Sequence, residues 1–191
     1  MSMFCYQCEQ AAGGTGCTRV GVCGKDPQVA ALQDLLIHAL KGLAVYGYRG
    51  RQLGVKDEGV DRFVMEGLFS TVTNVDFDPE RLRGLIQECV HHRENLKDKF
   101  LEAYRQHEGK EFTETLPKET AFEPAESLED MVAQGQKVGI MSDPDMDEDI
   151  RSLRELFTYG LKGMAAYADH ALILGKEKEE VTAFFYKAFM P

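Results

Sequence analysis

Four of the five cysteines in this 191-residue chain lie close together near its N-terminus. They are Cys5, Cys8, Cys17 and Cys23, in the pattern C-x2-C-x8-C-x5-C. Clustered thiolates are ligands for tetrahedral zinc or for an iron–sulfur cluster. A disulfide framework would instead spread its cysteines along the chain and join distant elements. Residues 1–27 are therefore predicted to form a metal-binding loop.

The spacing of these cysteines favours iron–sulfur over zinc, and it leaves zinc and free or disulfide-bonded cysteines open. Zinc knuckles and ribbons usually contain two C-x2-C pairs, whereas here the second pair is separated by five residues. Glycines in such a loop let backbone amides turn toward sulfur, and Arg19 and Lys25 can offset negative charge. The glycines in and beside the motif are Gly13, Gly14, Gly16, Gly21 and Gly24.

Apolar residues at helical spacing dominate the remainder of the chain, and strand signals are nearly absent. Asp26 and Pro27 supply a cap and a first-turn proline for the first long helix. Residues 111–149 are predicted to be a connection, because residues 108–127 are polar and contain two prolines. The predicted helices cover residues 28–54, 61–74, 80–107, 150–174 and 180–190.

The helical pattern repeats at a constant offset of 121 residues. Aligning residues 33–54 with 154–175 gives eight identities in 22 positions, including Lys41 with Lys162 and Gly42 with Gly163. Such a match indicates a duplicated unit, although amphipathic helices can also resemble each other by chance. The prediction is a first three-helix unit over residues 28–110 and the start of a second, truncated unit over residues 150–191.

An incomplete second unit would leave apolar side chains without a covering helix. Each large apolar side chain left in water forgoes about 1.5–3 kcal/mol relative to burial. We therefore expect residues 150–191 either to self-associate or to dock onto the first unit. The side chains concerned are Phe157, Leu161, Met164, Phe184, Phe185 and Phe189.

Composition excludes some classes of partner. The net charge of −10 disfavours nucleic acid, because phosphates would be repelled. No apolar run long enough for a membrane span is evident, and the N-terminal residues lack the basic and apolar regions of a signal peptide. The expectation is a cytoplasmic protein that binds neither nucleic acid nor membrane.

Long segments of the chain resemble the hybrid-cluster proteins, also called prismane proteins or hydroxylamine reductases. The resemblance begins with MFCYQCEQ, GCTRVGVCGK and LQDLLIHALKGLAVYG, and it continues through VMEGLFSTVTNVDFD, LPKETAF and DIRSLRELFTYGLKGMAAYADHA. It covers nearly the whole chain. Related nickel carbon monoxide dehydrogenases share the architecture, but the local match favours the hybrid-cluster proteins.

The resemblance implies a [4Fe–4S] cluster, because the cysteine spacing is similar to the anaerobe-type motif of that family. It implies that Cys5, Cys8, Cys17 and Cys23 are the four ligands. Full-length members are roughly three times as long, and their later domains hold the mixed iron–sulfur–oxygen cluster where reduction occurs. No motif for that hybrid cluster is recognised here, so no catalytic residue is assigned.

The resulting hypothesis is an all-α protein of two antiparallel, spectrin-like three-helix units, the second incomplete, with an N-terminal iron–sulfur loop. It would pass electrons from a reductase to the remaining domains of a hydroxylamine reductase and be inactive alone. The alternatives are a stand-alone electron carrier or sensor, and a zinc-stabilised helical module. The fifth cysteine, Cys89, lies on an apolar helical stripe and is predicted to be a buried core residue.

Overall fold

The computed structural model describes residues 2–72 and 76–191, and this part of the chain contains six α-helices and no strand. The all-α prediction is confirmed. The second helix was predicted to reach residue 74, but it ends at Ser70, and residues 73–75 lie outside the described residues. The helices are α1 (Pro27–Gln52), α2 (Glu58–Ser70), α3 (Pro79–Glu108), α4 (Leu128–Gln136), α5 (Glu148–Ile173) and α6 (Glu179–Phe189).

Most of the helices begin at a side-chain cap. The Asp26 carboxylate accepts a hydrogen bond from the backbone N–H of Val29 at 2.8 Å, and Pro27 follows as the first helical residue. Asp57, Asp78 and Asp147 cap α2, α3 and α5 in the same way. These carboxylates place the starts of α2 and α5 two or three residues before the predicted ones.

Helix α1 is the central helix of the fold. It packs against α3 along much of its length, and also against α4 and α6. Contrary to the expectation from the sequence, α1 is long and apolar enough to span a membrane by length and composition alone. However, 78% of its most apolar 18-residue window is buried inside the protein. That burial is typical of the core helix of a helical bundle.

The segment between α3 and α5 contains more structure than predicted. Helix α4 was missed, and a short 3-10 turn lies at Lys118–Ala121. Met131 and Val132 of α4 are buried in the core. The backbone of α4 lies against α1 so closely that a Cβ on Gly135 would be 2.1 Å from the Ala31 carbonyl oxygen. A nine-residue helix offers too few apolar positions for a clear periodic signal.

The two halves of the sequence repeat pack reciprocally. Helices α5 and α6 correspond to α1 and α2 at the offset of 121 residues. Helix α5 packs mainly on α2, and α6 packs mainly on α1, whereas α5 and α6 touch each other only slightly. The first helix of each half is thus covered by the second helix of the other half. The boundaries proposed for the units stay a prediction.

This reciprocal packing agrees with the docking alternative for part of the apolar face of residues 150–191. Leu161, Phe185 and Phe189 are buried in the common core, so docking within the chain covers them. Met164 is partly buried against the same core. Phe157 and Phe184 remain exposed, so docking does not cover them. Self-association through these exposed side chains stays a prediction.

A buried polar network joins α6 to α1 and α2. The Tyr186 hydroxyl donates to Asp61 Oδ1 at 2.7 Å, and Arg51 Nη2 donates to Asp61 Oδ2 at 2.5 Å. Burial raises the pKa of Tyr186, so its hydroxyl remains a donor. The Tyr186 ring lies against Gly47, where a Cβ would approach ring carbons to 2.1 Å. Glycine at this position lets the phenol reach Asp61.

We expect Tyr186→Phe to lower the free energy of unfolding by about 1.5–3 kcal/mol, because it removes a buried hydrogen bond to a charged group. Urea unfolding followed by circular dichroism measures this loss. Thr182→Val is the matched control on the same helix, since the buried Thr182 hydroxyl has no hydrogen-bond partner among the described residues. It should leave stability unchanged or raised. Equal losses in the two variants would contradict the role given to the network.

Candidate metal centre

The cysteine loop is closed by backbone pairing between two of the predicted ligands. Cys5 N–H donates to the Cys17 carbonyl at 3.0 Å, and Cys17 N–H donates to the Cys5 carbonyl at 2.7 Å. Met3 N–H also donates to the Thr18 carbonyl at 3.2 Å. These bonds bring the first and third cysteines of the motif together in an isolated antiparallel bridge.

Two glycines allow the chain to fold this tightly. Gly16 has a φ of +147° and lies against the Phe4 ring, which a Cβ would approach to 2.7 Å. Gly21 lies beside the last cysteine, and a Cβ there would come within 3.1 Å of Cys23 Sγ. A larger residue at Gly16 would clash with the Phe4 ring, and one at Gly21 would crowd the Cys23 sulfur.

The Cys17 thiol has the surroundings of a metal ligand. It is only 4% exposed, and the Ala12 N–H donates to its sulfur at 3.4 Å. This amide, a second one from Val22 and the charge of Lys25 lower the pKa of Cys17. Backbone N–H groups directed at sulfur stabilise the thiolate form, which is the form that binds metal.

The other three cysteines are more open to solvent. Cys5 and Cys8 are half-buried and Cys23 is exposed. Gln7 Nε2 lies 3.7 Å from Cys5 Sγ, within the distance of an N–H···S hydrogen bond. The outer edge of the loop also exposes Val20 and Val22.

The structure thus collects the four predicted ligands in one loop without gathering their sulfur atoms. Within residues 2–72 and 76–191, no three or more His, Cys, Asp or Glu side chains form a group that could hold a metal ion. The donor chemistry fits an iron–sulfur cluster, because four thiols share a loop whose amides polarise the Cys17 sulfur. Their assignment as ligands stays a prediction.

Cys89 is separate from this site. It lies on α3 and is fully buried in the hydrophobic core, as predicted. Burial raises the pKa of its thiol. A neutral thiol in an apolar core is a poor ligand and a poor nucleophile.

Beside the loop lies a group of buried or half-buried charged residues whose proximity to one another is not evident from the sequence. They line a small cavity of about 30 Å³ that also contacts Cys5. Lys25 and Lys162 are both buried in it. We call this the polar pocket; its charged members are Lys25, Asp34, Glu155 and Lys162, and Gln7 also lines it.

Burial controls the ionisation of the polar pocket. It raises the pKa of Asp34 and lowers the pKa of Lys162, because each charged form is removed from water. The charge of Lys162 opposes the shift of Asp34, and the charge of Asp34 opposes that of Lys162. In the sequence, the only signal for this pair was a lysine within the apolar stretch of α5, which also matched Lys41 in the repeat.

Known proteins resemble this chain over nearly its whole length. The Prismane/CO dehydrogenase family matches residues 3–191. A hydroxylamine reductase of Geobacter metallireducens is 55% identical over 188 residues, which are 98% of this chain and 34% of the relative. A hydroxylamine reductase of Halothermothrix orenii is 47% identical over 190 residues, which are 100% of this chain and 34% of the relative. The chain spans about a third of the length of these relatives, and it belongs to the Prismane/CO dehydrogenase family.

Proposed function

We propose that this chain is the electron-transfer portion of a hydroxylamine reductase and that it holds a [4Fe–4S] cluster through Cys5, Cys8, Cys17 and Cys23. The observation that carries this proposal is the polarised Cys17 thiol, backbone-paired to Cys5 within a loop that contains all four cysteines. A hydroxylamine reductase that is 55% identical over 98% of this chain supports the choice of reaction.

The bound cluster would supply a one-electron redox centre. The residues of this chain hold and tune that centre. Amides of Ala12 and Val22 stabilise the Cys17 thiolate, and the ammonium groups of Lys25 and Lys162 offset the negative charge of four thiolates. The exposed edge at Cys23, with Val20 and Val22, is open to a reductase that delivers electrons.

The remaining domains of the longer protein would receive these electrons at a hybrid iron–sulfur–oxygen cluster outside this chain. The outer face of α5 is suited to contact those domains, because large apolar side chains are exposed along it. A cytoplasmic location belongs to the same proposal, since thiol ligands stay reduced there. The exposed side chains are Leu153, Leu156, Phe157, Tyr167 and Ile173.

Anaerobic reconstitution with ferrous iron and sulfide tests the cluster. We expect about four irons and four acid-labile sulfides per chain, and an electron paramagnetic resonance signal after reduction. A protein purified with one zinc and no sulfide would support the zinc-stabilised module instead. A protein that retains neither metal would contradict the proposal.

We expect the 191-residue chain alone to show no steady reduction of hydroxylamine. Reduction of a substrate at a metal needs an open coordination position, and four cysteine ligands would occupy every iron of a cubane. The remaining cysteine, Cys89 on α3, is buried in the hydrophobic core and offers no second metal site. An anaerobic assay with reduced viologen dye measures turnover, with free iron as the control. Turnover clearly above that control would show that the chain is itself an enzyme.

A further inference from the structure

Lys162 connects α5 to the cysteine loop. It lies in the middle of α5 with only 6% of its surface exposed, and its Nζ donates to Gln7 Oε1 at 2.5 Å. Gln7 is 155 positions away in the sequence and lies between Cys5 and Cys8. The contact therefore joins the second half of the repeat to the C-x2-C pair of the motif.

The hydrogen bond from Lys162 helps to fix the orientation of the Gln7 amide. An ammonium group is a donor only, so the amide must turn its oxygen toward Lys162. Its Nε2 is then directed at the Thr71 carbonyl, 3.2 Å away, and at Cys5 Sγ, 3.7 Å away. Lys162 and the Thr71 carbonyl together hold an N–H group, and not an oxygen, toward the Cys5 sulfur.

The charge of Lys162 acts on the same site. The charged groups that face it are Asp34 on α1, Glu155 on α5 and Lys25 beside the loop, and Cys5 also contributes to its electrostatic surroundings. A buried cation interacts strongly with nearby charge because the local dielectric constant is low. It stabilises the reduced form of a thiolate-bound centre, which carries one more negative charge.

We propose that Lys162 is a positioning residue for the iron–sulfur site: it orients the Gln7 amide toward the Cys5 sulfur and raises the reduction potential of the cluster. This inference rests on the proposed function. Removing Lys162 takes away one of the two hydrogen bonds that orient the amide, and it removes a buried positive charge. Both changes lower the potential and weaken the hold of the loop on iron.

Lys162→Met is the principal test, because methionine keeps the length of the side chain and removes its charge. We expect a lower midpoint potential in an anaerobic redox titration and about 10–100-fold faster loss of iron to a chelator. Lys162→Arg should restore most of the potential, since a cation and a donor remain. Lys41→Met is the matched control: it occupies the equivalent position of the repeat and does not line the polar pocket.

Two results separate this inference from the proposed function. If the unchanged chain takes up no iron and sulfide, the proposed function itself fails. If the unchanged chain holds the cluster but Lys162→Met has the same potential as Lys41→Met, only the role of Lys162 is overturned. Should circular dichroism show Lys162→Met to be unfolded, Gln7→Ala decides: it removes the N–H group facing Cys5, and an unaltered potential would overturn the inference.

Discussion

The Cys8→Ser variant is expected to lose most of its iron after anaerobic reconstitution. Its affinity for iron should be at least about tenfold lower than that of the unchanged chain. Cys8 belongs to the C-x2-C pair of the loop and is half-buried. A free serine hydroxyl stays protonated at neutral pH, so it is a much weaker ligand for iron than a thiolate. Iron and acid-labile sulfide analysis of the desalted protein, together with the visible absorption of the cluster, measures the effect.

Cys89→Ser is the matched control, because it makes the same chemical change outside the loop. The Cys89 thiol is fully buried in α3, and burial raises its pKa. The substitution is expected to leave the iron and sulfide content intact, although a buried hydroxyl without a partner costs about 1–3 kcal/mol of stability. Equal loss of the cluster in the two serine variants would contradict the assignment of Cys8 as a cluster ligand.

The Gly42→Ala variant is expected to lower the free energy of unfolding by about 1–3 kcal/mol or more. Gly42 lies within α1, where the backbone of the 3-10 turn at Lys118–Ala121 crosses the helix. A Cβ on Gly42 would be 2.2 Å from the Glu119 carbonyl oxygen. A backbone atom cannot rotate away as a side chain would, so the turn must separate from α1.

Gly163→Ala is the natural control, since Gly163 occupies the equivalent position of the repeat on α5. Nothing lies within 4 Å of a Cβ at this position. Alanine is better than glycine in a helix interior by about 0.8–1.0 kcal/mol, so this variant should be more stable. Thermal or urea unfolding compares the two. Destabilisation of similar size in both variants would show that the close approach to Glu119 does not determine the need for glycine.

The helices and the location of the candidate metal centre could be predicted from the sequence because local signals encode them. Apolar residues at helical spacing defined five of the six helices. Asp26 with Pro27 correctly marked the start of α1. The clustering of four cysteines within a few turns of chain required no tertiary information, since the loop brings Cys5 and Cys17 together through its own backbone.

The polar pocket could not be predicted, because its members come from distant parts of the chain. Gln7 lies in the loop, Asp34 on α1 and Lys162 on α5. Each has an ordinary local sequence context, and only the packing of α5 beside the loop makes them neighbours. The chemistry proposed for Lys162 is therefore a property of the tertiary structure.

The two copies of the repeat show that the sequence predicts helix formation but not the burial of individual side chains. Sequence alone paired Tyr46 with Tyr167 and Leu35 with Leu156, and it predicted helix for all four residues. The structure buries Tyr46 and Leu35, at 5% and 0% exposure, and leaves Tyr167 and Leu156 82% and 63% exposed. Helix formation depends on neighbours three and four residues away, so both copies show it. Burial depends on what packs over a helix, and the packing of α3 on α1 gave the two copies different surroundings.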